Sequence, residues 1–427
     1  MDVKEDVSTV EGQSDLINIR DSTYRLSKPP TGNVFTCWTV LAKTMIGTGM
    51  LTLAYGFSKC GWVVGFVLLA FAAAGAVFTL HLLGCLAMRS PTRHVTFYTM
   101  AEDCAPWSRW IVDLAIAVKC IGVGISYIQV SADTISLTIN TWAKHTLNQT
   151  LLRDVTVVLL VLLVSPICLS KSISRTVVVN VLGLVSVCYV VILSICMTKL
   201  DAPTHASVPS SSGFMHVLSV FPTFIFAFTC HQNMFLCAED LKDRTQRKLD
   251  IVAFGSEAAA LSLYIPAIVF PYLTFGNTIS SNFLLSYDAD NSAVMVAYLL
   301  LGIAETCAFP LQALPARKSL IVLALRGKGL SPKAELYSRL GVGTAILLLT
   351  IAVALSVHSL GVTLSFVGVV GSNTITFIMP CFLYCMTIHK AGLPKGVKWV
   401  LAAGLCVIGL IILPLCLSSL IYEVVNK

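Results

Sequence analysis

The stretch that decides the fold is KTMIGTGMLTLAYGF at residues 43–57. It is apolar enough for a membrane helix, yet it begins with Lys43 and is interrupted by Gly47-Thr48-Gly49. A second stretch, FAFTCHQNMF at residues 226–235, places polar side chains in the middle of another apolar run. Unwound backbone is tolerated inside a membrane only where it lines a cavity or is buried in protein. We therefore expect both interruptions to lie at a binding site within the membrane.

Composition places most of the chain in lipid. Of the 427 residues, 56% are hydrophobic and only 12% are charged, whereas soluble domains carry about 25% charged residues. The sequence therefore predicts an all-α, polytopic membrane protein. The net charge is +7, and the basic residues that cause it lie in short loops between apolar runs. This distribution argues against a nucleic-acid partner. Residues 1–32 are polar without an apolar core, so we expect a flexible cytosolic tail ahead of a transmembrane domain at 33–424.

Apolar runs of about 20 residues mark the membrane spans. Eleven such runs are present, and the third and eighth are long enough to tilt or to project beyond the bilayer. The predicted spans are 34–57, 62–88, 107–141, 151–170, 175–198, 214–238, 251–276, 291–324, 335–357, 361–388 and 397–422.

The distribution of basic residues predicts the orientation. With the N-terminus in the cytosol, 22 of the 29 lysines and arginines lie in cytosolic segments, while Lys43 and Lys119 lie within spans. This asymmetry indicates a cytosolic N-terminus and an extracytosolic C-terminus. The single N-x-S/T sequon begins at Asn148, in a loop on the extracytosolic side, where N-glycosylation is possible.

The interruptions in spans 1 and 6 are separated by five spans, which is typical of inverted-repeat transporters. We expect one repeat at about 33–200, a second at about 213–389 and an extra helix at about 396–422. Freed amides at the start of a half-helix attract a carboxylate, and freed carbonyls accept an ammonium group, so the two breaks together suit a zwitterion. The alternative for Gly47-Thr48-Gly49 is close helix packing. His231 is either a hydrogen-bonded interior histidine or a proton carrier.

Three ionisable residues lie well inside predicted spans, where charge is costly and usually functional. They are Lys43 in span 1, Lys119 in span 3 and Glu305 in span 8. Asp113 and Asp133 lie nearer the ends of span 3, where we expect easier solvent access. At 1.5 Å per residue, Lys43 lies about 13 Å from the cytosolic end of its span and Glu305 about 21 Å from the outer end of its own. Since the hydrocarbon core is about 30 Å thick, the two lie at a similar depth.

Six stretches together identify a family. They are IGTGMLTLAYGFSKCGW in span 1, VKCIGVGISYIQV in span 3, FAFTCHQNMFLCAEDL in span 6, PYLTFG in span 7, FPLQALPARKSL in span 8 and FVGVVGSNTITFIMP in span 10. Through them the chain resembles the eukaryotic amino acid/auxin permease family, most closely its vacuolar branch, over about residues 34–420. The resemblance implies a LeuT-type fold of eleven helices, two inverted five-helix repeats plus one, with helices 1 and 6 broken.

The resemblance also implies site residues. Those for the amino acid are Gly47, Thr48, Gly49, Tyr127, Phe228, Thr229, Cys230 and His231. The position of Lys43 is commonly an asparagine that helps to hold sodium in the sodium-coupled branch, whereas proton-coupled members have a lysine there. Thr306, beside Glu305, lies near the matching ion-site position of span 8.

The lysine at the sodium position suggests how transport is driven. Two unit charges about 4 Å apart repel by about 4 kcal/mol at an effective dielectric constant of 20, so Lys43 disfavours sodium there. Our hypothesis is that Lys43 and Glu305 form a buried pair that replaces the ion, making transport independent of sodium and open to coupling with H⁺. The alternative is a static strut between spans 1 and 8.

The function expected is secondary transport of amino acids by a monomer embedded in membrane lipid. One rival is an amino acid sensor on an acidic organelle, and another is a transporter of a different small organic acid. An enzyme is not expected, since no nucleophile triad, metal cluster or cofactor motif is visible. The family resemblance favours the vacuolar or lysosomal membrane, with the plasma membrane as the alternative.

Overall fold

A computed structural model describes residues 30, 32–90, 92–93, 95–170, 176–199, 214–325 and 331–425 of the chain. These residues are almost entirely helical. The predicted tail at 1–32 lies outside the described residues apart from Pro30 and Gly32. In chain order the helices are α1 Val34–Met45, α2 Gly49–Arg89, α3 Phe97–Cys104, α4 Arg109–Trp142, α5 Gln149–Leu169, α6 Thr176–Cys196, α7 Phe214–Ala227, α8 Met234–Asp240, α9 Gln246–Phe275, α10 Ser292–Leu325, α11 Pro332–Ser356, α12 Leu360–Val367, α13 Met379–Lys390 and α14 Val397–Val425.

Ten helical segments of the described chain are long and apolar enough to cross a membrane. Helix α1 has only 12 residues and α2 has 41. Predicted span 1 therefore comprises α1 and the beginning of α2, and predicted span 2 lies in the rest of α2. Within α2 the backbone turns at Gly61, whose φ of 77° and ψ of 173° lie outside the helical region and are readily adopted only by glycine. The count of eleven spans and the division into two inverted repeats stay predictions.

Two spans besides span 1 depart from regular α-helix. Span 6 consists of α7, a non-helical stretch at residues 228–230, a short 3₁₀ turn His231–Asn233, and α8. Span 10 begins as α12, continues through the π-helical segments Gly368–Ser372 and Thr374–Ile378, and ends as α13. Single π-turns are rare and frequently lie at functional sites. The irregular part of span 10 packs against the break in span 6, as described below.

The long helices pack around a buried interior that surrounds both breaks. Helix α4 lies along α10, where Ser131 donates a hydrogen bond of 2.9 Å to the carbonyl of Gly302. Helix α9 packs against both α1 and α2. Within α9, the Ser256 hydroxyl lies 3.3 Å from the carbonyl oxygen of Trp38 in α1. Helices α4, α9 and α10 therefore form a scaffold on which the broken spans are held.

The expectation of easy solvent access at Asp133 is wrong. Its carboxylate accepts a hydrogen bond of 2.6 Å from Arg153 in α5, and both side chains are largely buried. Arg153 also donates to the carbonyl of Ala354 at the end of α11, at 3.1 Å. Three helix ends converge here, so the ion pair is enclosed by protein although it lies near the end of its span. Its charge-assisted hydrogen bonds tie α4, α5 and α11 together.

Candidate functional site

The break in span 1 is built by the last turn of α1 and the first residues of α2. Helix α1 ends at Met45, Ile46 takes an extended conformation (ψ 98°), and α2 begins at Gly49. Among the described residues, the amides of Gly47, Thr48 and Gly49 have no hydrogen-bond acceptor. The hydroxyl of Thr48 lies 3.2 Å from that of Ser126 in α4, which fixes the break against span 3. The predicted interruption at Gly47-Thr48-Gly49 is confirmed.

The break in span 6 is held by two neighbouring spans. The Thr229 hydroxyl lies 3.1 Å from that of Thr376 in the π-helical part of span 10. The Nε2 atom of His231 lies 2.8 Å from the hydroxyl of Thr79 in α2, and its Nδ1 atom lies 3.5 Å from Thr376. Both ring nitrogens of His231 thus have partners and the side chain is fully buried. This geometry supports the interpretation of His231 as a hydrogen-bonded interior histidine, while a role in proton transfer stays a prediction.

Tyr264 of α9 joins the two breaks. Its hydroxyl lies 2.7 Å from the carbonyl oxygen of Met45, the last residue of α1, and 2.8 Å from that of Ala227, the last residue of α7. The Tyr264 ring also contacts Phe228 edge-on, with centroids 5.4 Å apart. Terminal helix carbonyls lack intrahelical partners, and here the single O–H of Tyr264 is within hydrogen-bond distance of both and is shared between them. Tyr264 was not predicted from the sequence; a hydroxyl in the middle of the apolar span 7 was the only available signal.

Tyr127 faces the break in span 1. A side-chain carbon added at Gly47 would meet the Tyr127 hydroxyl at 3.8 Å and no other atom within 4 Å apart from its chain neighbours. Both residues keep some accessible surface although they lie in the middle of spans. By contrast, Thr48, Cys230 and the other predicted residues of the span 6 break are buried. The structure therefore brings the predicted substrate residues together around one enclosed region.

Lys43 lies in the last turn of α1, beneath the break. Its ammonium lies 3.5 Å from the carbonyl oxygen of Ile46 and packs against α6, where a side chain at Gly183 would collide with it. A cation at this position interacts favourably with the carbonyl end of the helix. Lys43 therefore supplies positive charge where the terminal carbonyls of α1 are exposed.

Glu305 lies within electrostatic range of Lys43, and it also faces Tyr127. No ion pair of 4.0 Å or less joins Glu305 to Lys43 in this conformation, so direct pairing stays a prediction. Neither oxygen of Glu305 makes a hydrogen bond to any described residue. The Thr306 hydroxyl is engaged within its own helix, donating to the carbonyl of Gly302 at 2.7 Å.

Two further ionisable side chains lie near the span 6 break. Lys119 of α4 is buried and lies within electrostatic range of Cys230. Glu257 of α9 is also buried and approaches Cys230. Glu257 was not predicted from the sequence, although it lies seven residues into span 7 at 251–276. The same cost of intramembrane charge that singled out Lys43 could have identified it.

The arrangement matches known proteins at several levels. The family model described as transmembrane amino acid transporter protein matches residues 30–422. The chain belongs to this transmembrane amino acid transporter family. The predicted resemblance is thereby confirmed, and family members are transporters rather than enzymes.

Individual relatives of this family member span nearly its whole length. The chain is 29% identical to "Vacuolar amino acid transporter 5" of Schizosaccharomyces pombe, covering 88% of this chain and 92% of the relative. It is also 29% identical to "Vacuolar amino acid transporter 6" of Saccharomyces cerevisiae, covering 89% and 96%. The human protein "Solute carrier family 38 member 8" is 25% identical, with 83% and 85% coverage.

A solved structure confirms the fold of this transporter. The crystal structure of MhsT in complex with L-phenylalanine superimposes with a TM-score of 0.58. The match covers 92% of this chain and 100% of that chain, at 13% sequence identity. The LeuT-type fold predicted from the resemblance is therefore confirmed, including the broken spans 1 and 6.

The bridge at Tyr264 can be tested by removing its hydroxyl. Tyr264→Phe leaves the buried carbonyls of Met45 and Ala227 without this partner, and we expect a loss of about 1–3 kcal/mol in stability. The matched control is Tyr272→Phe on the same helix, because the buried Tyr272 hydroxyl has no hydrogen-bond partner among the described residues. Thermal unfolding of both variants in detergent measures the difference. Equal melting temperatures for the two variants would show that the bridge carries no stability.

Proposed function

We propose that this protein is a secondary active transporter of amino acids that works by alternating access, without sodium and with coupling to protons. The observation that carries the proposal is the meeting of two helix breaks at one enclosed region, joined by Tyr264. Interrupted helices in matching positions are the best pointer to a midplane substrate site in inverted-repeat transporters. Membership of an amino acid transporter family supports the substrate class.

The two breaks offer opposite electrostatic poles to a zwitterion. The free amides of Gly47, Thr48 and Gly49 stand at the positive N-terminal end of α2, which favours the substrate carboxylate. The carbonyls of Met45 and Ala227 stand at the negative ends of α1 and α7. Each carbonyl oxygen has two lone pairs, so the substrate ammonium can donate to them while Tyr264 keeps its contact. Residues Phe228 to His231 and Tyr127 would then surround the substrate side chain.

Burial of the site supports alternating access. Thr48, Thr229, Cys230 and His231 have almost no accessible surface. An amino acid therefore cannot enter or leave this conformation without movement of the surrounding helices. The half-helices α1 and α8 are short, and their breaks provide hinges at which such movement can occur. We assign the described conformation to a closed state of the cycle.

Sodium independence follows from Lys43. The ammonium at the carbonyl end of α1 already provides the charge that a bound cation would supply. A sodium ion about 4 Å away would be repelled by about 4 kcal/mol at an effective dielectric constant of 20. Sodium is therefore disfavoured at this position, as the sequence suggested.

Proton coupling is assigned to Glu305. Its carboxylate lies in the field of Lys43 without a direct bond to it. Protonation of Glu305 removes its attraction to Lys43, and deprotonation restores that attraction. A change in this attraction alters the relative energies of the closed state and a state in which the two side chains touch. Proton binding would thus bias the position of α1 relative to α10.

The proposed setting is the vacuolar or lysosomal membrane, because two relatives are named as vacuolar transporters. The excess of lysine and arginine in the cytosolic loops supports a cytosolic N-terminus and an extracytosolic C-terminus. Asn148 is exposed at the start of α5, on the side where glycosylation takes place. We propose a monomer as the functional unit.

Sodium independence is tested by counterflow in proteoliposomes containing the purified protein. A panel of amino acids identifies those that exchange with a labelled substrate. We expect the exchange rate to remain unchanged when choline replaces sodium on both sides at constant pH, because Lys43 occupies the place of the ion. A large loss of exchange in choline would contradict the proposal.

The role of Glu305 is tested by Glu305→Gln, which keeps the size of the side chain but holds it neutral. We expect uptake by this variant to lose most of the pH dependence seen in the wild-type protein, because the attraction to Lys43 can no longer be switched. Uptake is measured from mildly acidic to mildly alkaline pH. The control is Asp288→Asn, which neutralises an exposed loop carboxylate. A wild-type pH profile in Glu305→Gln would count against coupling at this site.

A further inference from the structure

Glu257 of α9 is a buried carboxyl group without a partner. Its side chain is 2% exposed. Both carboxyl oxygens are buried and have no hydrogen-bond partner among the described residues. No lysine, arginine or histidine of the described chain forms an ion pair with it. Nothing in the transport scheme set out above uses this group.

The surroundings of Glu257 connect it to the substrate site. It lies within electrostatic range of the Cys230 thiol, in the break of span 6, and of Tyr264 on its own helix. The preceding residue, Ser256, contacts the backbone of α1 at Trp38. Glu257 therefore lies where α9 meets both broken spans.

The charged groups of the neighbouring helices interact with residues other than Glu257. From α1, Lys43 interacts with Glu305. From α2, His81 lies 2.8 Å from Asp250, two turns earlier on α9. From α4, Lys119 lies within electrostatic range of Cys230 and forms no ion pair among the described residues. Cys230 thus lies within electrostatic range of both a buried acid and a buried base.

An ionised carboxylate in this position would be strongly disfavoured. Burying an unpaired charge in an apolar environment costs far more than burying a neutral polar group, so such groups neutralise instead. The side chains one turn away on either side, Ala253 and Ala260, are buried and apolar. The closed conformation therefore holds Glu257 as a neutral carboxylic acid. Because its oxygens have essentially no accessible surface, the bound cation can only be a proton.

Glu257 is also part of a line of polar groups along α9. Asp250, Glu257 and Tyr264 are spaced seven residues apart, which places them on one face of the helix at intervals of about 10.5 Å. Asp250 lines a surface cavity of about 680 Å³ together with Gln246, Arg247, Ile251, Phe254 and Gly255. Tyr264 stands at the helix breaks. Glu257 thus lies along α9 between Tyr264 at the helix breaks and Asp250 in a surface depression.

We infer that Glu257 is a proton-binding site of the transport cycle, separate from Lys43 and Glu305, whose occupancy follows the position of the span 6 break. In the closed state the proton is bound. When the segment around Cys230 moves, water or Lys119 gains access to the carboxyl group of Glu257. The free energy of the ionised carboxylate then falls, so that the group can release its proton. The O–H bond then breaks, the proton passes to water, and its electron pair stays on the carboxylate oxygen. The reverse step reloads the site from the acidic side.

Proton binding can be read directly by infrared difference spectroscopy on wild-type protein in proteoliposomes at neutral pH. The C=O stretch of a buried carboxylic acid should be present in the wild type and absent in Glu257→Gln. Glu305→Gln and the surface variant Glu335→Gln should retain this band. Identical bands in the wild type and Glu257→Gln would overturn the inference, because Glu257 would then be ionised in the closed state.

The role in the cycle rests on the proposed transport function and needs a second readout. In the same proteoliposomes, accumulation of the labelled amino acid driven by a pH gradient is measured for each variant. It is divided by the counterflow rate of the same variant, so that the ratio reports coupling to protons rather than overall activity. We expect this ratio to fall by about tenfold or more in Glu257→Gln, because a permanently neutral side chain cannot release its proton. Glu335→Gln should keep the wild-type ratio. A wild-type ratio in Glu257→Gln would refute the coupling role. Absence of counterflow in the wild type would refute the transport function instead, while the infrared band still decides whether Glu257 holds a proton.

Discussion

The contact on which the site depends is the one between the Tyr264 hydroxyl and the carbonyls of Met45 and Ala227. Two helices that stop in the middle of a membrane leave polar backbone groups that lipid cannot satisfy. The single O–H of Tyr264 in α9 lies within hydrogen-bond distance of both carbonyls, is shared between them, and so holds the two helix ends at one level. The amides at the start of α2 are left free, which gives the enclosed region its opposite poles. The proposed binding of a zwitterion rests on this arrangement of free amides and terminal carbonyls.

Four ionisable side chains surround this region without forming strong ion pairs. Lys43 packs against α6 and lies within electrostatic range of Glu305 in α10, while Lys119 and Glu257 both lie within electrostatic range of Cys230. A purely structural ion pair would be expected to show direct contacts, as Asp133 and Arg153 do at 2.6 Å. The contrast between these two kinds of site suggests that the central groups change partners or protonation during the cycle.

Much of this organisation is visible in the sequence. The glycine-broken stretch at 43–57 and the polar run at 226–235 identified both helix breaks, because lipid imposes strict limits on backbone and charge. The rotation of each helix about its own axis, which decides the side chains that meet, was harder to predict. Nothing in the sequence indicated that Tyr264 faces two carbonyls, that His231 bonds to Thr79, or that Asp133 is enclosed by the ends of three helices. Those contacts depend on how separate spans rotate against one another, which apolar runs of similar composition do not specify.

The central claim is that the span 6 break forms part of the amino acid site. Cys230 lies in that break and is buried in the closed state, so a small alkylating reagent reaches it only when the site opens. The most direct measurement is mass spectrometry of alkylated peptides from proteoliposomes, with and without an amino acid that competes in counterflow. The account predicts that the amino acid slows labelling of Cys230 but leaves labelling of the exposed Cys196, the last residue of α6, unaffected. Equal labelling of Cys230 in both conditions would contradict it.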